Sequence, residues 1–487
     1  MSRARFSTVL IGVATTALVL STAAPASAAS IAISADQYTN VDSQHATQVE
    51  PDSFAFGATI VAAAQTGRFN NGGSSNINVS VSTNNGASWA SQGLPGLTNK
   101  NPAAPGPYSR VSDPVVAFDA RHNVWLVNTL PLNEGATGPI AMGIANNRST
   151  DGGLTWGPAA IIPTSNLGSV DKNWIVCDNT ASSPFYGNCY AEWDDNGDGN
   201  RIYMSTSTDG GLTWSARAKP ANNATGIGGQ PLVQPNGAVI VPIDNANETA
   251  LLSFRSTDGG TSWSATTTIT GISHHTVAGG LRTGPLPSAE IDAAGKVYVA
   301  WQDCRFRRNC RSNDIVFTTS TNGTTWTAVQ RVPIDATGSS VDHFIPGLAV
   351  DRATSGATAR LAVAYYFYPS RNCSATTCQL NVGYVSSSNG GAGWSAPQTL
   401  AGPMTLSWLP NTTQGRMAGD YISTSFVGGN PVPVFTAATA PVGAVFNQRM
   451  TAFTGLTARR EGLVRSEAAV GRVPVPNGAA AAARSLR

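Results

Sequence analysis

Ser149-Thr150-Asp151-Gly152-Gly153-Leu154-Thr155-Trp156 is one copy of an octapeptide, Ser-x-Asp/Asn-x-Gly-x-Thr/Ser-Trp, that recurs along the chain. Its copies stand roughly 50 to 70 residues apart, a spacing typical of stacked supersecondary units. One copy is a residue short, and the last has Gly before its Trp. The other copies are Ser82–Trp89, Ser207–Trp214, Ser256–Trp263, Ser320–Trp326 and Ser387–Trp394. The repeat therefore predicts an all-β fold built from similar units.

Each copy has the residues of a tight turn between two strands. The Asp or Asn side chain can accept hydrogen bonds from amides two residues on, and the Gly tolerates a positive φ. The Trp begins the next strand, and Trp156, Trp214 and Trp263 are expected to be buried between units. Asn replaces Asp freely among the copies, which argues against a metal ligand and favours a structural turn.

A common frame of strands precedes each of the six copies and occurs a seventh time, from Gly419, without one, so it predicts seven four-stranded units. An apolar strand is followed by a turn, a second strand and the strand that leads into the octapeptide. A ring of such units leaves no long edge strand exposed. The sequence predicts a seven-bladed β-propeller, with six blades and a closing segment as the alternative. The frames start at Glu50, Asp113, Lys172, Gln230, Ser288, Pro346 and Gly419.

The N-terminus has the pattern of a secretory signal peptide. Arg3 and Arg5 precede an apolar run over 9–20, and Ala26-Ser27-Ala28 forms a cleavage site. The apolar run is too short to span a membrane. We expect a secreted protein cleaved near Ala28, with a lead-in segment over 29–47, the propeller over 48–455 and a disordered, Ala- and Arg-rich tail over 456–487.

Charge and cysteine content fit an exported protein. Only 12% of the residues are charged, with 30 basic and 28 acidic side chains, so no nucleic-acid or membrane partner is expected. Six cysteines form three close pairs in sequence. Disulfides are favoured over zinc because no His lies close to any pair. The predicted disulfides are Cys177–Cys189, Cys304–Cys310 and Cys373–Cys378.

The octapeptide resembles the Asp-box, or BNR, repeat of sialidases and related propellers, and the resemblance extends over about 48–454. In that family the box is structural and lies away from the active site. Sialidases carry an Arg-Ile-Pro motif, an arginine triad, an Asp acid/base and a Tyr–Glu pair. This chain has no Arg-Ile-Pro, and Arg110-Val111-Ser112-Asp113-Pro114 is the nearest fragment. The resemblance implies a glycan-active protein.

In a propeller, the start of every first strand lies on the face opposite the boxes, and ligand sites form where such segments converge. These starts are unusually polar in this chain. Arginine forks match a carboxylate at two points, which favours an anionic sugar. The same charges can instead pair with each other to hold the blades in register. The candidate catalytic residues are Asp113, Asp342, Asp420 and Tyr421, and the candidate substrate-binding residues are Arg110, Arg282, Arg305, Arg416 and His343.

Three functions fit these residues. The first is an exo-glycosidase acting on acidic sugars, with Arg282 and Arg416 on the carboxylate, Asp113 or Asp342 as acid/base and Tyr421 as nucleophile. The second is a polyuronate lyase with Tyr421 or His343 as base. The third is a propeller that only binds glycans or proteins. The expected partner is an acidic glycan or polysaccharide, and the chain is expected to be monomeric.

A short acidic loop resembles half of a calcium-binding loop. Asp194, Asn196 and Asp198 alternate along the chain as in D-x-[DN]-x-[DN]-G, but Ser205 stands where the closing Glu should be. No cofactor is required by any of the three functions. Structural calcium at this loop is one interpretation, and a polar hairpin turn is the other.

Overall fold

A computed structural model describes Met1 and residues 29–164, 168–458 and 464–468, which form an all-β fold. The predicted signal peptide and most of the predicted tail lie outside these residues. Within them no helix is long and apolar enough to cross a membrane. The helical segments of the described chain are single 3-10 turns at Asn196–Asp198, Ala278–Gly280, Arg308–Cys310, Gly356–Thr358 and Leu406–Trp408.

The strands form antiparallel groups that follow one another along the chain, here named units 1 to 7. A single pair, Ser74 opposite Val111, joins units 1 and 2 into one nine-stranded sheet. Unit 1 contains β2 (Gln44–Phe56), β3 (Thr59–Arg68), β4 (Ser74–Ser82) and β5 (Ala90–Gly93). Unit 2 contains β6 (Arg110–Asp119), β7 (Val124–Gly135), β8 (Gly138–Ala141), β9 (Ile144–Ser149) and β10 (Ala160–Ile162). Unit 3 contains β11 (Val170–Cys177), β12 (Cys189–Asp195) and β13 (Arg201–Ser207). Unit 4 contains β14 (Leu232–Val233), β15 (Val239–Asp244), β16 (Ala250–Ser256) and β17 (Thr267–Gly271).

The remaining units use segments from both ends of the chain. Unit 5 contains β18 (Ser288–Ile291), β19 (Val297–Asp303), β20 (Asp314–Ser320) and β21 (Gln330–Arg331). Unit 6 contains β22 (Asp342–Val350), β23 (Leu361–Tyr368), β24 (Gln379–Ser387) and β26 (Gln398–Thr405), with β25 (Gly393–Trp394) beside it. A hairpin follows, made of β27 (Asn411–Thr412) and β28 (Gly415–Arg416). Unit 7 contains β29 (Ser423–Val427), β30 (Asn430–Ala438), β31 (Gln448–Thr454) and the N-terminal β1 (Ala29–Ala32).

The first strands of the units contact one another in a closed succession. Each of β2, β6, β11, β14, β18 and β22 contacts the first strand of the next unit, and β29 contacts both β22 and β2. Side chains reinforce several of these contacts: Asp52 of unit 1 accepts from the Val116 amide of unit 2 at 2.8 Å, and Ser288 of unit 5 accepts from the Leu348 amide of unit 6 at 2.9 Å. Apolar clusters fill the space between neighbouring sheets.

The N-terminal strand β1 pairs with β31, so the outer strand of unit 7 comes from the opposite end of the chain. Ala29 lies opposite Thr454 and Ala32 opposite Thr451. Residues 29–47, predicted as a lead-in, therefore supply this strand and the beginning of β2. The C-terminal strands β32 (Val464–Arg465) and β33 (Glu467–Ala468) pair with β25 and β21.

The octapeptide turns are closed by their own side chains. In the copy at 149–156, the Ser149 hydroxyl donates to Asp151 and accepts from the Gly153 amide at 2.9 Å. Asp151 accepts from the amides of Leu154 and Thr155, three and four residues on rather than two. Gly153 has a φ of 88°, a conformation that side chains disfavour. The turn is thus held by local hydrogen bonds and needs no ion.

Burial of the octapeptide tryptophans divides them into two groups. Trp156, Trp263 and Trp394 are buried. Trp214 is only half-buried, contrary to the prediction, because it borders an open groove formed with the neighbouring turn at 259–261.

All three predicted disulfides are present. Cys177–Cys189 joins the facing ends of β11 and β12, and Cys304–Cys310 closes the loop after β19. Cys373–Cys378 closes the loop after β23. Disulfides persist in oxidising compartments, so the pairing is consistent with an extracellular protein.

Candidate functional site

The first strands of four units share a bulge that interrupts their pairing at the same place. Glu50, Asp113, Lys172 and Ile345 stand there with φ values of 52°, 50°, 50° and 49°. The strand register shifts at each of these positions. A positive φ is unusual for residues other than glycine. Bulges often change the direction of side chains at functional sites. Asp113, Lys172 and Ile345 all line one central cavity.

At this cavity Asp420 of unit 7 joins two cations from other units. The Lys172 Nζ donates to Asp420 Oδ2 at 2.6 Å. Arg282 bonds both carboxylate oxygens, with Nε to Oδ1 at 2.8 Å and the second contact made by a terminal nitrogen to Oδ2. The exposed fractions are 2% for the Asp420 side chain, 9% for Lys172 and 11% for Arg282. The result is a buried ion network that crosses the centre of the molecule.

Glu50 is a buried carboxyl group of this network whose acidity is strongly altered. It is buried, it accepts from Gln65 Nε2, and the Asp420 amide lies 3.4 Å from its Oε1. Burial, followed by the charge of Asp113, raises the pKa of Glu50 to about 8. Glu50 is therefore protonated at neutral pH.

The cations and the phenol respond to the same charges. Burial alone would lower the pKa values of Lys172 and Arg282, but Asp420 and the neighbouring carboxylates outweigh it and hold both pKa values above their usual range. Burial and then the charge of Glu50 raise the pKa of Tyr421 well above its usual value. The Tyr421 hydroxyl donates to the Pro114 carbonyl at 3.1 Å, so it is a neutral donor in this structure.

The cavity beside the network is narrow. Its lining includes Asp113, Lys172, Trp174, Asp420 and Tyr421, and its volume is ≈ 20 Å³, which is room for about one water molecule. A second central cavity of ≈ 50 Å³ lies farther along the first strands and is lined by residues of all seven units. Neither volume accommodates a sugar ring in this structure.

Two predicted arginines lie away from this centre, and the reason is a local carboxylate in each case. The Arg110 guanidinium pairs with Glu134 at 2.6 Å and lies 4.0 Å from the ring centroid of Phe69. Arg305 is held by Asp303, two residues before it in sequence, at 2.7 Å. Neither side chain lines the central cavities.

Arg416 is close to the centre through its backbone rather than its side chain. Its carbonyl accepts from the Arg282 amide at 2.8 Å, whereas its guanidinium donates to the Leu409 carbonyl at 2.7 Å. The hairpin that carries Arg416 therefore holds the segment of Arg282 in place.

Asp342 and His343 belong to a separate region near units 5 and 6. Asp342 accepts from the Asn313 amide at 2.7 Å, and burial raises its pKa to about 7. His343 is buried beside Tyr365 and Phe367, and burial lowers its pKa to about 4. The predicted set thus divides: Asp113, Arg282, Asp420 and Tyr421 come together, and Arg110, Arg305, Asp342 and His343 do not.

The central network also contains Glu50 and Lys172, two polar strand starts that are not among the predicted site residues. A local signal was present, since Glu50, Asp113 and Ile345 each precede a proline near the start of a first strand. Proline restricts the residue before it and here accompanies the bulge. Comparing these positions across units would have selected Glu50.

The candidate calcium ligands of the acidic loop after β12 differ in burial. Asp194 is buried on the sheet, and neither of its carboxylate oxygens has a hydrogen-bond partner among the described residues. Asp198 is near the surface and accepts from the Tyr203 hydroxyl at 2.7 Å. Calcium here stays a prediction: a chelator should lower the melting temperature, and Asp198→Ala should remove that effect.

The model of the family described as "BNR repeat-like domain" matches residues 58–269 and 185–347, which together span more than half of the chain. The chain belongs to the BNR repeat-like family. No curated protein matches the sequence.

Solved structures similar to this BNR repeat-like protein are distant from it. A protein of unknown function from Dyadobacter fermentans is 17% identical, with a TM-score of 0.47, and the match covers 74% of this chain and 97% of that one. Trypanosoma rangeli sialidase in complex with sialic acid is 14% identical, with a TM-score of 0.42 and coverage of 73% and 58%. Penicillium chrysogenum α-L-arabinanase complexed with arabinobiose is 12% identical, with a TM-score of 0.43 and coverage of 69% and 93%.

Proposed function

We propose that this BNR repeat-like protein is a secreted, seven-bladed β-propeller that hydrolyses glycans at the centre of the face opposite the octapeptide turns. The closed succession of first-strand contacts supports the ring, with the seven units as blades. The proposed site is the network around Glu50, Asp113 and Asp420.

The placement of two carboxyl groups in one buried network, with burial and the charge of Asp113 raising the pKa of Glu50, is the observation that carries the proposal. Glycoside hydrolysis commonly uses one carboxylic acid to protonate the leaving oxygen and one carboxylate on the other side of the bond. Glu50, with its pKa raised to about 8, is suited to be the acid, and Asp113 is suited to be the carboxylate. Tyr421 is not suited to be a phenolate nucleophile while its pKa is raised. Tyr421 instead lines the cavity and acts as a hydrogen-bond donor.

Acidic sugars remain the proposed substrate class, with Arg282 as the residue that recognises the carboxylate. Asp420 occupies the edge of the Arg282 guanidinium formed by Nε and one terminal nitrogen, so a substrate carboxylate that binds at this edge must exchange with Asp420. A sugar ring also needs more space than the closed cavity offers. The segments 278–287 and 406–420 must therefore move when the substrate binds.

The test combines a substrate panel with matched carboxyl variants. Sialosides, uronic-acid polymers and neutral arabinans are incubated with the wild type, Glu50→Gln and Asp113→Asn. Each variant is expected to lower kcat by about 10²–10⁴ on the active substrate, which is the usual contribution of general acid–base catalysis. Asp342→Asn is the control, because Asp342 is also a buried carboxyl of raised pKa but lies outside the site. Folded Glu50→Gln and Asp113→Asn variants that keep full activity would refute the assignment.

A non-catalytic propeller is the second candidate, and it is favoured by one specific observation. The central cations are already paired with Asp420. Such a network is also suited to holding the blades in register without taking part in catalysis. Binding of a glycan without release of sugar would support this function. An unsaturated uronate product would instead indicate a lyase, which could not use His343 at this site.

A further inference from the structure

The C-terminal residues 464–468, here named the strap, lie across two neighbouring units. Strand β32 pairs with β25, with Trp394 opposite Val464. Strand β33 pairs with the outer strand β21 of unit 5, with Arg331 opposite Glu467. One short segment thus adds a strand to two separate parts of the molecule. We propose that these two edges form a binding groove for an extended peptide and that the strap of the same chain is its occupant.

The octapeptide turn of unit 6 is adapted to the strap. In the copies at 82–89 and 149–156, the Trp indole donates directly to the carbonyl of the fifth residue at 3.1 Å. In the copy at 387–394, the Trp394 Nε1 donates instead to the Ser466 hydroxyl at 3.0 Å. That hydroxyl donates in turn to the Gly391 carbonyl. Ser466 therefore stands inside a hydrogen bond that the turns at 82–89 and 149–156 make by themselves.

The other end of the strap meets a buried cation. The Arg331 side chain is fully buried, and its Nε and one terminal nitrogen contact Asp314 and Asp335 at 2.9 and 2.6 Å. Its remaining terminal nitrogen has no hydrogen bond to any residue that the structure describes, and it lies 3.5 Å from a carboxylate oxygen of Glu467. A buried guanidinium favours a carboxylate at its last free side. Glu467 supplies that carboxylate.

The groove therefore recognises a strand that carries a hydroxyl residue followed directly by a carboxylate. Backbone pairing supplies general affinity for a strand, and the two side chains supply selectivity, as in other cases of strand addition. The sequence Ser466-Glu467 matches both positions.

The test removes the strap and returns it as a separate peptide. A chain ending at Thr457 is expected to melt at a lower temperature than the full chain. It is expected to bind a synthetic peptide of residues 462–470, measured by calorimetry. Peptides with Ser466→Ala or Glu467→Gln should bind about tenfold more weakly, as expected for losing one such contact. A peptide with Arg465→Ala is the control and should bind equally well.

Two results would overturn the proposal. One is a folded, truncated chain that melts like the full chain and does not bind the peptide. The other is a full chain that is dimeric through exchange of the strap between copies, which light scattering would detect. If the truncated chain fails to fold, hydrogen exchange of the full-length Ser466→Ala and Glu467→Gln variants decides. Faster exchange at β21 and β25 supports the groove, and unchanged exchange refutes it.

Discussion

Glu50 links the candidate site to the stability of the protein through its proton. Its pKa rises from the ordinary 4.5 to about 8 on folding, so between these values the folded state binds more protons than the unfolded state. Stability from this group is complete below pH 4.5 and is lost as the pH rises through 8. Asp52 and Asp171, with pKa values raised to about 7 and 6, act in the same direction.

We expect Glu50→Gln to flatten this pH dependence. The variant cannot ionise, so the difference between its free energy of unfolding and that of the wild type should grow as the pH rises from about 4.5 to about 8 and then level off, with an upper bound on the order of 4–5 kcal/mol. Urea unfolding at pH 5, 7 and 9 measures it. If the free energy of unfolding changed equally with pH in the two proteins, Glu50 would not hold a proton in the folded state.

Asp420 is expected to be the most costly single residue of the network to neutralise. Asp420→Asn leaves Lys172 and Arg282 buried without their main counter-charge. Breaking a buried pair in this way usually costs about 3–5 kcal/mol. Chemical denaturation measures the loss. Glu134→Gln, which removes the half-exposed partner of Arg110, should change stability little. A similar effect of both variants would argue against a tightly coupled centre.

Among the elements, the octapeptide turns are expected to stabilise the fold without touching the site. Trp263 is 4% exposed and packs against Phe254 and Tyr190, so Trp263→Ala should cost about 3–5 kcal/mol. Trp214→Ala should cost clearly less, because Trp214 is half-buried. Calorimetric melting gives both values. Activity per folded molecule should survive both changes, and its loss would place the site on the wrong face.

The turns were also the elements that the sequence predicted best. Their residues encode local hydrogen bonds, which depend only on neighbours in the chain, and the three disulfides likewise join close positions. The bulges of Glu50 and Lys172 were not predicted, because they depend on pairing between two strands. The pairing of Arg305 with Asp303 was not predicted although the two residues are only two positions apart, since side-chain direction decides which charges meet.

At the scale of the whole molecule, the seam between β1 and β31 is expected to control stability. Ile31→Pro removes an amide from β1 opposite Ala452. We expect the variant to melt earlier than Ala160→Pro, which places proline in the comparable outer strand β10 of unit 2. Hydrogen exchange should quicken in β31 as well as in β1. Equal effects of the two prolines would mean that the seam is no more important than any outer strand.

The repeated octapeptide turns were predictable from the sequence, whereas the seam was not. Repeats at regular intervals report contacts between neighbours in sequence, and six of the seven units carry one. The seam joins segments from opposite ends of the chain. The four residues of β1 have no sequence pattern that indicates which strand they pair with. Likewise the division of the polar strand starts into one central network and several local pairs depends on distances that spacing does not contain.

Because Ala29 pairs with Thr454, one of the first strands to be synthesised can pair only after one of the last has been made. At ordinary rates of translation, β1 leaves the ribosome roughly 20–90 s before its partner strand exists. During that time β1 has no partner strand and an edge of the first sheet is exposed. Both can pair with other chains. Slower translation near the end of the message should therefore increase aggregation, even though every residue of the finished protein is unchanged.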